Sequence, residues 1–450
     1  MTQNNSANKT VSLNDLTSQM VIQSYSGFPG KFRSMDKATS EWVKHNFKGT
    51  SIVAEREGKQ LEFPVENLNE GDTLLRIQKF PQTLERLLIV NDKLINELKS
   101  RGFTKFEVKI VNKPTNAVQE KRKNSVQKAE KLIQQVKESI EVRDKASFAV
   151  ESLMDNGRKG KANTKEIISF VDNIITNSSA DAITAIASLK QSDQTYAHCV
   201  DVGAIFQVVY QKLIENMKVK NVFKDGREVL LSSFMHDFGK SKVPKEILDS
   251  TVRFERDSKE MQMMQNHPVY GAELLANMNM PSYIIDMAHF HHIKMDTSMA
   301  SSYPDSIKWD DVRLEARLIA IIDIYQALVG KRSYKKSWAP PAAMKFIDNL
   351  AGVEYDLDIW NEFMKIMGRY PKGSAVELSD GSQAFVVSVP EKDLSRPSVV
   401  IVRNASGEDL KHHTLVDLEV EKDLNISKEI DSFETFGDNV IELFASLQVI

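Results

Sequence analysis

The sequence predicts a multidomain, mainly α-helical protein, with a small α/β domain ahead of the helical core and a short β region after it. Three observations carry this. From about Asn163 to Asn349 the apolar positions follow helical spacing, as in Ile167, Ile168, Val171, Ile174 and Ile175. Short β-type runs separated by turn residues fill the N-terminal third. The pattern turns to β again after Pro371. The length of 450 residues suggests about three compact units. The boundaries fall at 1–113, 114–150, 151–370 and 371–450.

In the first segment Ser51-Ile-Val-Ala54 and Thr73-Leu-Leu-Arg-Ile77 read as strands around turns at Glu57-Gly58-Lys59 and Asn69-Glu70-Gly71-Asp72. Pro81 to Arg101 reads as a helix that Gly102 ends, and Lys105 to Val111 as a closing strand. The segment 114–150 is a charged helical linker, rich in Lys, Glu, Gln and Arg from Gln119 to Lys145. Val126, Ile133 and Ile140 recur every seven residues, with Ala129 and Val136 between them. Such a seam fits either one amphipathic helix docked on a neighbouring domain or a parallel coiled coil that makes a homodimer through 119–145. In the last segment Ser374-Ala-Val-Glu-Leu378, a turn at Ser379-Asp380-Gly381, and Ala384 to Val389 predict a hairpin. Ser398 to Val402 adds a third strand.

Composition narrows the function. Lys and Arg number 59 and Asp and Glu 62, a formal net charge of −3, with 27% charged and 41% apolar residues. These values describe an ordinary globular chain and argue against a nucleic-acid polymer as partner; Lys121-Arg122-Lys123 reads as a solvated face. The polar opening Met1-Thr-Gln-Asn-Asn carries no secretory signal, and Asp323 cuts the longest apolar run, Leu318 to Ile322. We therefore expect no membrane span and a cytoplasmic protein. A single cysteine, Cys199, excludes a disulfide framework and any multi-cysteine metal site, so a metal centre must use His and carboxylates.

The histidines are unevenly placed. Six of the nine lie between His198 and His292, where even scattering would put about two. His236-Asp237 opens His-Asp-Phe-Gly-Lys240, His267 opens His-Pro-Val-Tyr-Gly271, His291-His292 form a doublet, and Asp323 lies within an apolar helix. Imidazole and carboxylate together suit divalent metals, and two ions close together promote phosphoester displacement. A buried Asp323 is costly without a partner; a metal, a helix cap or a buried salt bridge would each supply one. His289 reads as a satisfied core residue, and His45 and the pair His412-His413 as surface residues.

The order His…His-Asp-x-Gly-Lys…His-Pro-x-x-Gly…His-His…Asp resembles the HD-GYP branch of the HD-domain metal-dependent phosphohydrolases, over roughly residues 160–370. The resemblance implies a helical HD-domain core at 151–370, two divalent metal ions of the iron or manganese kind, and hydrolysis of a cyclic dinucleotide in bacterial second-messenger signalling. Cyclic di-GMP is the usual substrate and cyclic GMP-AMP the alternative, opened to linear dinucleotide or mononucleotide. It implies diguanylate cyclases or other signalling proteins as partners, and the first 110 residues resemble a small domain of unknown role often fused ahead of HD-GYP domains. Residue by residue, it implies His198, His236, Asp237, His267, His291, His292 and Asp323 as metal ligands, with Asp237 bridging. It implies Lys240 facing the phosphate and the attacking water, and Arg332 and Lys335 contacting substrate phosphates. A surface lysine and a solvated basic turn are the alternatives for these three.

The departures lie after the doublet. The family pattern His-His-Glu-x-x-Asp-Gly-x-Gly-Tyr-Pro is here His291-His-Ile-Lys-Met-Asp-Thr-Ser-Met-Ala-Ser-Ser-Tyr-Pro304. Ile293 replaces Glu, Thr297 and Met299 replace glycines, and three residues precede Tyr303-Pro304 as an insertion. Tyr303 is carried over as a substrate contact, and the reshaped loop is expected to alter specificity or rate while leaving the metal cage intact. A third metal in some members uses a glutamate four residues before the first histidine; Gln194 stands there, which predicts a dinuclear site. The altered loop also allows a ligand-binding scaffold without turnover, and a phosphohydrolase of mononucleotides is the third alternative.

Overall fold

The computed structural model describes residues 9–12, 20–26, 35–46, 51–78, 105–110, 116–160, 168–169, 171–172, 178–189, 195–304, 307–330, 337–390 and 392–449. The chain divides into two compact units, 1–120 and 121–450.

The first unit is built on an antiparallel sheet. Its strands are β1 (Lys9–Ser12), β2 (Met20–Ser26), β3 (Ser51–Arg56), β4 (Lys59–Pro64), β5 (Thr73–Gln78) and β6 (Lys105–Ile110), in the order β1-β6-β2-β5-β3-β4. Helix α1 (Lys37–Asn46) precedes β3. The expected turn between β3 and β4 is present, with Glu57 and Gly58 both at positive φ (53° and 77°), as a two-residue hairpin turn of matching twist requires. Asp72 is buried and receives a two-pronged bond from Arg56, 2.8 and 2.7 Å, which ties the 69–72 turn to β3. The helix expected over Pro81–Arg101 lies outside the described residues, as does the side chain of His45.

Helix α2 (Asn116–Arg158) runs unbroken for 43 residues. Its Ala129, Leu132, Ile133 and Val136 pack into a core with Ala375, Phe385, Val400 and Leu415, and Val126 and Ile140 lie against the same core. The heptad seam is thus covered by this chain's own residues. Of the two alternatives the helix takes the docked one, and the coiled-coil dimer loses the apolar stripe on which it rested.

The helical core follows. Its elements are α3 (Ala180–Leu189), α4 (Thr195–Met217), α5 (Gly226–Met235), a 3-10 turn (Phe238–Lys242), α6 (Lys245–Leu248), α7 (Lys259–Gln265), α8 (His267–Asn277), α9 (Ser282–Phe290), α10 (Leu314–Val329), α11 (Pro340–Asp348) and α12 (Leu357–Met367). Helix α4 is the axis, apolar on two sides. Val202, Ile205, Phe206 and Val209 face α10, α11 and α12. Cys199, Val200 and Ala204 face α2, α5, α8 and α9. A helix apolar all round is a buried one. Among the described residues no helix is long and apolar enough to cross a membrane.

The C-terminal region is a five-stranded antiparallel sheet, β7 (Ala375–Leu378), β8 (Gln383–Ser388), β9 (Ser398–Arg403), β10 (Asp409–Asp417) and β11 (Ile426–Ile430), in the order β10-β9-β8-β7-β11. The hairpin and third strand read from the sequence are β7, β8 and β9, with Gly381 at φ 83° in the turn. Strand alternation sends Phe385 and Val400 to the α2 side and Ala384, Val386 and Val399 to the other. It also splits His412 from His413. His412 is exposed, as expected, but His413 is buried, and its Nδ1 accepts the Gln448 N–H at 3.0 Å. Neighbours on a strand point to opposite faces, so a doublet there cannot share one environment. Short helices α13 (Ser432–Phe436) and α14 (Val440–Ala445) close the chain.

Candidate metal centre

Helix ends build the cage. His236 follows α5, His267 opens α8 directly after α7, and His291 follows α9. Each uses Nδ1 in the same way, bonded to the carbonyl three residues back: Ser233 at 2.6 Å, Met264 at 2.6 Å and Ala288 at 2.9 Å. Carbonyls of a last helical turn lack an in-helix partner, so an imidazole N–H satisfies them. A ring that donates from Nδ1 presents a bare lone pair at Nε2, the arrangement that orients histidine metal ligands.

Those lone pairs converge. The Nε2 atoms of His267 and His291 face each other at 3.1 Å, two acceptors with no proton of their own between them. The Nε2 of His236 and the Oδ1 of Asp237 are buried without a hydrogen-bond partner. Such a pocket is unfavourable unless a cation enters it. The residues present therefore fit a metal ion.

The ligand atoms form three triads that could each hold an ion: His198, His236 and Asp323; His267, His291 and His292; and His236, Asp237 and His291, which straddles the first two. Asp237 stands between them and turns a different oxygen to each. Its Oδ2 is 3.5 Å from the His236 Nε2 and 3.9 Å from that of His198. Its Oδ1 is 3.2 Å from the His267 Nε2 and 3.7 Å from that of His291. Asp323 sits mid-helix in α10, where it caps nothing, its Oδ1 3.0 Å from the His198 Nε2, and among the described residues no Lys or Arg bridges it. The Lys240 ammonium hydrogen-bonds Asp237 Oδ2 from the 3-10 turn.

The electrostatics favour ligand-ready states. Burial alone would raise the Asp237 carboxyl, but its neighbours, the Lys240 ammonium foremost, hold it well below the carboxylate range. Asp323 behaves alike: burial raises it, and His198 and His292 more than offset that. Burial and the neighbouring His236 and His267 push His291 down to about 3. Burial and His291 push His292 well down.

Two glycines of the quoted motifs have a role that sequence reading missed. A Cβ on Gly239 would lie 1.8 Å from the His267 carbonyl oxygen and 2.4 Å from the Gly271 nitrogen. Only a bare backbone lets the turn bearing Asp237 and Lys240 press against the first turn of α8. The signal was their place within His-Asp-Phe-Gly-Lys and His-Pro-Val-Tyr-Gly, but the contact joins two distant segments and has no local signature.

The loop after the doublet leads away from the cage and back to it. Ile293 is buried with Val312 and Ala316. Lys294 turns inward, bonded to the Tyr355 hydroxyl and 3.5 Å from Glu354. Tyr303 returns to lie 4.6 Å from the His292 ring. His289 is half-buried and stacks on Phe290. Arg332, Lys335 and Gln194 lie outside the described residues.

A helical core with a His/carboxylate cage between its helix ends defines the class of metal-dependent phosphohydrolases. Residues 186–359 match the family described as HD domain, and residues 375–437 a KOW domain associated with HD domain. Residues 186–359 are thus an HD domain of the metal-dependent phosphohydrolase superfamily, with further domains fused to it. It is 28% identical to a cyclic di-GMP phosphodiesterase of Pseudomonas aeruginosa, over 61% of this chain and 64% of that protein. It is 32% identical to a 3'3'-cGAMP-specific phosphodiesterase of Vibrio cholerae serotype O1, over 31% of this chain and 28% of that one. The chain thus matches less than two thirds of either relative's length. An HDG"Y"P protein from Bdellovibrio bacteriovorus aligns over 76% of this chain and 98% of its own, at 14% identity and a TM-score of 0.37, a likeness too loose to carry an argument.

Proposed function

We propose that this protein is a metal-dependent phosphodiesterase that opens a cyclic dinucleotide, cyclic di-GMP or cyclic GMP-AMP, to the linear dinucleotide or mononucleotide. The observation that carries the reading is Asp237, one carboxylate with an oxygen toward each of two His-rich triads. The names of the relatives supply the substrate class.

In this reading His198, His236 and Asp323 would hold one divalent ion and His267, His291 and His292 a second, of the iron or manganese kind, and Asp237 would serve both. Bound there, the ions supply Lewis acidity that polarises a phosphodiester and activates water. The chain does the rest. Depressed pKa values keep the imidazoles of His236, His291 and His292 unprotonated at neutral pH, and the ionised Asp237 and Asp323 balance the positive charge. Lys240, anchored on Asp237, brings its positive charge to a phosphate oxygen as negative charge develops. Tyr303 covers the His292 ring on the substrate side, and Arg332 and Lys335 complete the phosphate contacts.

The test is product chromatography after incubating anaerobically purified protein with Fe(II) or Mn(II) and each cyclic dinucleotide. Linear product is expected from the wild type, with at least a ~1000-fold loss in Asp237→Asn, about 4 kcal/mol of barrier. Inertness with every metal and both substrates would sink the reading. One observation favours a second reading, a nucleotide-binding scaffold without turnover: the residue after the doublet is buried apolar Ile293, where the resemblance has Glu. Calorimetric binding in the absence of product would select it.

A further inference from the structure

Helix α2 precedes the matched HD region, yet it touches the elements that carry the cage. Arg143 is buried, and its Nε and Nη2 donate to the two oxygens of Asp201 at 2.8 and 2.7 Å. Asp201 lies three residues beyond His198 on α4, about one turn away. Farther along α2, a Cβ on Gly157 would come within 3.0 Å of Phe238 and Ser241, which flank Asp237 and Lys240 in the sequence. Between these contacts Ala146, Val150, Leu153 and Met154 share a core with Cys199 and Val200.

A buried ion pair is a poor source of stability, because desolvation offsets most of the attraction. A bidentate guanidinium–carboxylate fork does supply direction, since planar donors meet a carboxylate in few orientations. Helix α4 is packed by apolar side chains on both sides, contacts that carry no direction of their own, and the fork adds a directional one beside His198.

We infer that Arg143 is a positioning residue for the metal centre: its fork on Asp201 sets the rotation of α4, and so the place of the His198 imidazole beside Asp323. The inference rests on the metal-centre reading above. It makes α2, outside the matched HD region, part of the working site.

The experiment is a cobalt(II) titration of the full-length protein followed by visible absorption, arranged as a mutant cycle. The variants are Arg143→Met/Asp201→Leu, His198→Ala and the three together. An apolar pair of similar size can replace a buried fork without loss of stability, so the paired variant is expected to melt within a few degrees of wild type. Its cobalt affinity is expected to fall about tenfold, the low end for groups that orient ligands. Adding His198→Ala is then expected to cost far less than it does in the wild type, because the pair acts through that ligand. A purely structural role predicts additive losses, and additivity overturns the inference. Arg143→Lys keeps the charge without the fork and carries the same cycle if the paired variant does not fold. No cobalt uptake by the wild type overturns the metal reading and this inference with it; uptake with unchanged variants overturns this one alone.

Discussion

The cage and the loop that leaves it share the doublet His291-His292 but are held in different ways. The cage rests on backbone: three imidazoles lean on helix-end carbonyls, and Gly239 brings one turn against another with no side chain between. The loop rests on side chains, with Ile293 in an apolar cluster, Lys294 on Tyr355, and Ser302 Oγ accepting the Lys294 N–H at 3.1 Å. Backbone contacts admit few substitutions, whereas side-chain packing can be exchanged for other packing. That difference fits a cluster in which all seven expected residues come together beside a loop that departs from the pattern it resembles at Ile293, Thr297 and Met299.

The largest effect expected from this contrast is at Gly239. Gly239→Ala drives a methyl into the first turn of α8, where the obstacles are backbone atoms that cannot rotate away. We expect a loss of about 3 kcal/mol or more in urea unfolding, together with loss of metal binding. A stable variant that still takes up metal would mean the two turns can separate without harm to the cage.

Protons provide a second, smaller test. His291 titrates at about 3 in the folded protein, against 6.5 for an unperturbed imidazole. Above pH 6.5 both states are neutral and the group contributes nothing to the pH dependence. Below it the unfolded chain takes up a proton that the folded site refuses, so stability falls with pH. Over two units below that value the loss is about 2–3 kcal/mol for this group alone. Asp237 and Asp323, held below 3.8, add their losses only in more acid solution. Urea curves of the metal-free protein at pH 7.5 and 5 would show the slope, and His291→Gln is expected to flatten it.

The same contrast shows what could be read in advance. The His/Asp cluster was legible because metal chemistry restricts residue type, and packing alone seldom demands an ordered set such as the one from His198 to Asp323. The β7–β8 hairpin was legible because Ser379-Asp380-Gly381 carries a positive-φ glycine. The stripe of Val126, Ile133 and Ile140 disclosed an apolar face but not its cover, since periodicity describes one partner of a contact. Arg143 and Asp201 were illegible for a related reason. They lie 58 residues apart, and nothing local marks either as buried.

The smallest effect expected is the one that separates the loop from the cage most cleanly. Tyr303 lies against the His292 ring at 4.6 Å with the planes 33° apart, so the loop touches the proposed metal centre there. Ring contacts of this kind contribute about 1 kcal/mol beyond burial. If the loop serves the substrate, Tyr303→Ala should raise KM for a cyclic dinucleotide about tenfold, the equivalent of ~1.4 kcal/mol. Cobalt affinity should change less than threefold or so, because His292 is still held at the start of the loop by buried Ile293. A fall in metal affinity matching the rise in KM would mean that Tyr303 orients His292. The loop would then be a wall of the cage, and its altered sequence would bear on metal binding as well as on substrate.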